Sequence, residues 1–355
     1  MNHKPLVTGI IGAGAISDAY LKSLLKDFRE EIELNYISAA HLESAQKKAA
    51  EYGLTALSTG ELLKKEEVEL VIILTPVETH AGLIEEALKA GKHVYSEKTL
   101  TLHAEEGRKL LALAKEKNLY LGCAPDTFLG AMVQSAKKAL EEGMIGDVHS
   151  FGILINRNND LLTSMFPFLR KEGAGILRDY VVYYLTALTV LLGEVDSVSA
   201  LLSTPYPVRK GMIPGRPEYQ KEFETPNEAV AAVTLRMKNG VIGVLHDDSE
   251  SALVDHSVFN LYGRNGILKL GNPNNFGDPV SYVKGIQDFR NPEAPIVLES
   301  ANRFIKNNRG IGAAEMVHAI WENREAQASA QRAIHVLDII EAIEKSAETG
   351  KFEKV

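Results

Sequence analysis

The sequence predicts an α/β fold in two parts, a doubly wound parallel sheet followed by a second domain built on an antiparallel sheet. Three observations carry that expectation. From the N-terminus to about residue 125, strand-like and helix-like segments alternate with short connections, the order that gives parallel strands joined by crossover helices. The stretch VTGIIGAGAISDAYLKSLL, Val7 to Leu25, sets a glycine-studded turn between an apolar strand and a regular helix. Beyond Gly146 the style changes to short β-rich segments and a hairpin signal.

In chain order, Leu6, Val7, Ile10 and Ile11 read as a buried strand, and Ile16, Tyr20, Leu21, Leu24 and Leu25 recur at helical spacing. Further strands are expected near Leu34, Val71, Val94 and Leu121. ELVIILT, Glu69 to Thr75, is apolar almost throughout, as a strand covered by helices on both faces should be. Helices are expected over Glu43–Tyr52, Thr79–Ala90 and Ala104–Lys117. Gly53 and Gly91 close the first two, and Ser58 with Glu61 makes a capping box. In the second part, VHSFGILI (Val148 to Ile155), VSALLS (Val198 to Ser203), EAVAAVTLRM (Glu228 to Met237) and VIGVLH (Val241 to His246) read as antiparallel strands. The last two are joined through Lys238, Asn239 and Gly240. A helix is expected from Asp179 to Leu192, and helices from Ala313 and Ala328 close the chain. Thr204 to Thr225, rich in Pro, Gly and charge, reads as a long loop over a site or partner surface. The expected domains are residues 1–125 and 126–355.

Composition narrows the function classes. With 355 residues and 45% hydrophobic content the chain has ample core for two domains. A net charge of -8 with interspersed signs gives no footprint for nucleic acid or an anionic membrane. No apolar segment is long enough to span a bilayer, and the apolar run near the N-terminus is broken by glycines without a cleavage site. The single cysteine, Cys123, favours a reducing compartment, so a cytoplasmic location is expected.

At the strand-to-helix turn, glycine tolerates dihedrals that other residues avoid and lets a ligand approach the backbone. The helix start offers unpaired N–H groups and a positive dipole end, which suit a pyrophosphate. A GxGxxG dinucleotide fingerprint would fall on Gly12, Gly14 and residue 17, with Ala13, Ala15 and Ile16 completing the turn; residue 17 is Ser17, small enough to keep helix and strand close. Taken alone, the turn fits both a dinucleotide site and a purely structural strand exit.

Several longer motifs stand in order along the chain: GIIGAGAIS (Gly9 to Ser17), ILTPVETH (Ile73 to His80), ALKAGKHVYSEKTL (Ala87 to Leu100), MIGDVHSF (Met144 to Phe151) and RAIHVLDIIEAI (Arg332 to Ile343). Together they resemble the Gfo/Idh/MocA oxidoreductases over nearly the whole chain. CAPDTFLGA (Cys123 to Ala131) and YYLTALTVLLG (Tyr183 to Gly193) resemble a less studied branch. The resemblance implies a Rossmann domain followed by an α/β domain with an open, mostly antiparallel sheet. It implies NAD- or NADP-dependent oxidation or reduction at carbon centres of sugars, cyclitols or polyols, and a homo-oligomer, dimer or tetramer, formed through the C-terminal sheet. Four positions depart from the family pattern. Ser17 replaces the last fingerprint glycine, and Ala39 stands where NAD-preferring relatives often carry an acid. EKP becomes Glu97, Lys98, Thr99, and DxxxH becomes Asp179 followed by Tyr183.

Oxidising a carbinol requires a proton acceptor beside the departing hydride. Lys98, after the strand HVYSEK, is the leading candidate, because ligands of open parallel sheets bind beyond the carboxyl ends of the strands. Glu97 is expected to contact cofactor or to hold Lys98. Asp179 and Tyr183, four apart, share one helix face, with Tyr183 placed to donate to a substrate oxygen and Asp179 to tune charge or bind a hydroxyl. Capping by Asp179 and core packing by Tyr183 are the structural alternatives. Thr75 and Pro76 are expected as walls of the nicotinamide site, and His80 as a further contact or a structural hydrogen-bonder. Ser38, Ala39 and His41 are expected near the adenosine ribose, with Lys47 and Lys48 nearby and no arginine for a 2′-phosphate. His246, Asp247, Asp248, Asp255 and His256 match no metal signature, so no metal is expected. A redox-neutral NAD-dependent lyase or glycosidase and a non-catalytic dinucleotide-binding regulator are the competing readings.

Overall fold

The computed structural model describes residues 3–171, 173–285 and 293–355. By contacts the chain forms two units, one of Met1–Leu129 with Lys306–Leu337 and one of Gly130–Ile305 with Asp338–Val355.

The first unit is a six-stranded parallel sheet: β1 (Leu6–Ile11), β2 (Ile32–Ser38), β3 (Thr55–Ala56), β4 (Leu70–Ile73), β5 (His93–Ser96) and β6 (Leu121–Cys123), in the spatial order β3-β2-β1-β4-β5-β6. All six residues of β1 are buried, because it lies between β2 and β4. The strand order reverses between β1 and β4, the place where open α/β sheets bind ligands. The crossovers are helical: α1 (Ser17–Asp27), α2 (Leu42–Tyr52), α3 (Thr59–Lys64), α4 (His80–Lys89) and α5 (Ala104–Glu116). Gly53 ends α2 in the left-handed region, and Ser58 and Glu61 form the reciprocal capping box that starts α3.

The division into residues 1–125 and 126–355 differs from these units, since Lys306–Leu337 returns to the first. The reason lies at β6. The Cys123 N–H donates to the Ala328 carbonyl at 2.9 Å, and Gly122 bridges to Ser329, so the returning chain covers what would be an open sheet edge. Helix α9 (Ile311–Glu322) packs on β6, and Ala330, Ile334 and Leu337 join the first unit's apolar core.

The second unit is a nine-stranded mixed sheet. After α6 (Ala131–Glu141) come β7 (Val148–Asn158), α7 (Asn159–Met165), α8 (Val182–Leu192) and β8 (Val195–Ser203). The short strands β9 (Val208–Lys210) and β10 (Glu222–Glu224) follow, then β11 (Val230–Met237), β12 (Ile242–Asp248), β13 (Glu250–Gly263), β14 (Gly266–Leu270), β15 (Ser281–Lys284) and β16 (Ile296–Val297). The chain ends with α10 (Ala330–Thr349), whose first turns belong to the first unit, and β17 (Glu353–Lys354). The large sheet runs β16-β15-β14-β13-β7-β12-β11-β8-β17, antiparallel at every pairing except β7 with β12. Phe151, Ile153 and Ile155 of β7 are buried while Leu154 is exposed, so one face is covered and the other open. On the covered side α8, apolar around nearly its whole circumference, packs Tyr184 against Phe259 at 6.2 Å.

Two local expectations are revised. The segment Thr204–Thr225 is not one long loop, because β9 and β10 pair as an antiparallel ribbon. Buried Arg209 pins it, donating to Thr225 Oγ1 at 3.0 Å and Asp160 Oδ1 at 2.7 Å and forming a bidentate pair with Glu250. The helix expected from Asp179 begins instead as a π-helical turn, Leu177–Val181, before α8.

Candidate functional site

At the end of β1 the chain turns on Gly12, whose φ of +122° and close approach to Leu74 exclude a side chain: a Cβ would lie 2.7 Å from the Leu74 carbonyl. Gly14 is different. It is exposed and a Cβ there would meet nothing within 4 Å, so the turn presents bare backbone to solvent. Ala13, Ala15 and Ile16 carry the chain into α1, and Ala15 is exposed. Ser17, in place of the third fingerprint glycine, is fully buried and donates its hydroxyl to the Gly14 carbonyl at 2.7 Å, so the departure tightens the turn.

Beside the turn, the Ser38 carbonyl accepts the Gly12 N–H at 2.8 Å, and its side chain is buried against Thr59. Ala39 is half-buried and His41 exposed. Lys48 and the Tyr52 phenol both bond to Asp18 in the first turn of α1, which holds the Asp18 carboxyl below its usual range.

After β4, Thr75 is half-buried and Pro76 exposed, and Thr79 donates its hydroxyl to Thr75 Oγ1 or the Pro76 carbonyl at 2.8 Å. The His80 ring is fully buried between two carbonyls, Nδ1 at 2.8 Å from Thr99 and Nε2 at 2.8 Å from Thr75. It braces the loops after β4 and β5 and shows no surface to a ligand.

After β5, Glu97 is buried and Lys98 half-buried. Glu97 Oε1 accepts the Tyr20 phenol at 2.7 Å, and Oε2 accepts the Lys98 backbone N–H at 3.1 Å. Burial, and then the Glu97 charge, push the Tyr20 phenol far above its ordinary range. Nearby Asp126 accepts the N–H groups of Gly310 and Gly312 at 2.8 and 3.1 Å at the start of α9; burial raises its carboxyl to about 6.

The second unit gathers a separate polar group. The Arg157 guanidinium lies 3.6 Å from the Tyr180 ring centroid and 3.5 Å from Asp179 Oδ2. Tyr180 donates to Asp255 Oδ1 at 3.1 Å, and Asn272 Nδ2 reaches both the Tyr180 oxygen and the Asp255 carboxylate. Burial drives the Tyr180 phenol well above its usual range. Tyr183 is buried, edge-on to Tyr180 with ring centroids 6.1 Å apart. The π-helical turn is capped at Ile176, so Asp179 lies in its first turn rather than at the cap position. An open depression lies within this unit, lined by Arg157, Asp179, Asn227, Glu228 and Ser249 against apolar Leu162 and Ile176. Burial raises the Glu228 carboxyl, and that of buried Asp247 to about 7. Among the described residues, no three His, Cys, Asp or Glu side chains converge as metal ligands, and no helix is long and apolar enough to cross a membrane.

Sequence reading did not single out Arg157, Tyr180 or Asn272, whose partners come from distant strands, and it took Tyr20 only as part of an apolar helix face. The one available signal was a tyrosine among leucines one turn after the glycines.

A family model described as "Oxidoreductase family, NAD-binding Rossmann fold" matches residues 6–124, and one for the "GFO/IDH/MocA C-terminal domain" matches residues 133–269. Inositol 2-dehydrogenase of Rhizobium meliloti is 27% identical over 186 residues, 52% of this chain and 54% of that enzyme. The dTDP-3,4-didehydro-2,6-dideoxy-alpha-D-glucose 3-reductase of Actinomadura kijaniata is 26% identical over 324 residues, 88% of each chain. The chain spans about half the length of several curated relatives it matches. In fold it is similar to levoglucosan dehydrogenase solved with NADH and levoglucosan, with a TM-score of 0.85 and 21% identity over 99% of both chains.

Proposed function

Because the chain belongs to the GFO/IDH/MocA oxidoreductase family, with its NAD-binding Rossmann domain, we propose that it transfers hydride between a nicotinamide cofactor, NAD or NADP, and a carbinol or carbonyl carbon of a sugar, cyclitol or polyol. The observation that carries this reading is the arrangement at the carboxyl ends of β1, β4 and β5. Bare backbone at Gly14, the Thr75–Pro76 wall and half-buried Lys98 all follow neighbouring strands of one sheet.

The open turn fits a pyrophosphate: a bulky side chain at Gly14 would fill the cradle, and the α1 N-terminus supplies N–H groups and a favourable dipole. Bound nicotinamide supplies the hydride acceptor or donor. Lys98 holds the reacting oxygen and takes the hydroxyl proton in the oxidation, returning it in the reduction. Ala39 and His41, which follow β2, would hold the adenosine ribose. His80 acts on the site through the carbonyls of Thr75 and Thr99, and Glu97 acts through the Lys98 peptide. Asp179 and Tyr183 are assigned to the substrate on the family resemblance, Tyr183 donating to an oxygen and Asp179 setting the charge around it. The mixed polar and apolar lining of the second unit's pocket supports a small, hydroxyl-rich ligand.

The open sheet face is assigned to a second copy of the chain. Leu201, Ala232, His246 and Leu154 stand in cross-strand register on it, and Ile242 and Val244 add exposed apolar area. Val244→Asp with Leu201→Asp should then yield monomers in light scattering; an unchanged mass would remove this assignment.

The test of function is a panel of sugars, cyclitols and polyols with NAD and NADP, followed by nicotinamide absorbance. Product formed with equivalent reduction of cofactor supports dehydrogenation. Product without net absorbance change marks the redox-neutral chemistry instead.

A further inference from the structure

We infer that Tyr20 is a positioning residue for Lys98, linking the helix of the glycine turn to the peptide that carries the lysine; the inference rests on the proposed role of Lys98. Two covalently distant segments meet here through one carboxylate. Ser17, the first residue of α1, ties the helix start to the Gly14 carbonyl at 2.7 Å. One turn later Tyr20, fully buried, donates its phenol to Glu97 Oε1 at 2.7 Å. The other Glu97 oxygen accepts the Lys98 N–H at 3.1 Å. A phenol–carboxylate bond of this length between buried side chains is charge-assisted and strong, and both carboxylate oxygens are engaged. The helix that would meet the cofactor's phosphates is thereby fastened to the backbone of the proposed proton carrier.

The two contacts also make the link specific to the hydroxyl and the charge rather than to bulk. Tyr20→Phe keeps the ring and loses the donor. Glu97→Gln keeps the shape but cannot accept at both ends, because one oxygen becomes an amide donor. Leu24→Ala disturbs packing of the same helix, where Leu24 and Tyr20 both lie against Gly310, yet removes neither hydrogen bond of the link.

Competitive trace acetylation with acetic anhydride, read by mass spectrometry of the full-length chain, measures the reactivity of Lys98 against exposed Lys109 as internal reference. Tyr20→Phe and Glu97→Gln should each change the Lys98 to Lys109 ratio by about threefold or more, and the double variant should add little further, because both act through one path. Leu24→Ala should lower the melting temperature yet leave that ratio unchanged, and NADH affinity by fluorescence titration should stay within about threefold in the Tyr20 variant. A wild-type ratio in folded Tyr20→Phe, or in folded Glu97→Gln if the first does not fold, overturns the inference, as does an equal change in Leu24→Ala. The proposed role of Lys98 fails separately, if Lys98→Ala retains turnover on a panel substrate.

Discussion

In the first unit the groups proposed to meet the cofactor are mostly backbone: the peptide of Gly14, the N–H groups at the start of α1, and strand-end peptides braced by His80. In the second unit the polar group is made of side chains alone, with Arg157 on β7, Asp179 and Tyr180 on a π-helical turn, Asp255 on β13 and Asn272 after β14. A backbone cradle depends on which residues are absent, so it is written locally as small residues in a row. A side-chain cluster depends on partners tens of residues apart. The first accommodates Ser at position 17 because the hydroxyl bonds within the turn; in the second, a single side chain, Asn272, serves both the Tyr180 oxygen and the Asp255 carboxylate.

The largest effect should come from filling the cradle. Gly14→Val should cut dinucleotide affinity at least a hundredfold, about 2.7 kcal/mol, without unfolding the chain, as measured by calorimetry with NADH. Unchanged affinity would place the dinucleotide elsewhere. Gly12→Ala sharpens the contrast: its φ of +122° and the Leu74 carbonyl make this a folding defect, costing more than about 1 kcal/mol in urea unfolding.

In the second unit, Asn272→Ala leaves the Tyr180 oxygen and Asp255 without a shared donor and should cost about 1–3 kcal/mol in the same assay. A neutral result would show that the cluster is not held together by its side chains.

Buried Asp247 gives a pH test. Its folded carboxyl titrates near 7 against an ordinary 3.8, so the folded state holds a proton that the unfolded chain has released. This contribution is therefore present at low pH and is lost as pH rises from about 4 to 7. Asp126, raised to about 6, adds a slope of the same sign. Asp247→Asn should flatten the fall in melting temperature across that window; an unchanged slope would assign it to Asp126 and other groups.

The smallest effect concerns cofactor choice. Ala39 provides neither a carboxylate for the ribose hydroxyls nor a charge to repel a 2′-phosphate, and Lys48 is occupied with Asp18. NAD and NADP should bind within about tenfold of each other, or 1.4 kcal/mol. A several-hundredfold preference for NAD would mean that groups other than residue 39 read the ribose.

The same contrast explains what was legible beforehand. The parallel sheet showed itself through the alternation ending near residue 125, and the capping box at Ser58 and the hairpin at Gly240 followed from local turn chemistry. The return of Lys306–Leu337 to the first unit did not show, because an edge strand's partner is chosen in three dimensions. The ribbon at Arg209 was hidden by Pro- and Gly-rich composition, which resembles a loop until a buried arginine finds three partners. The spacing of Asp179 and Tyr183 assumed an α-helix, and a π turn has no local code. Tyr20 read as one more apolar helix residue because its phenol's partner lies 77 residues away.

The proposed separation of backbone binding from side-chain chemistry is tested most directly by Lys98→Ala. NADH affinity by fluorescence titration and turnover by nicotinamide absorbance would be measured on the same preparation, with a substrate found in the panel. The account predicts near-normal NADH affinity and turnover lowered by about 10²–10⁴-fold, equivalent to roughly 3–5 kcal/mol, with Tyr183→Phe losing less. Near-normal turnover in Lys98→Ala, above all beside an inactive Tyr183→Phe, would contradict it.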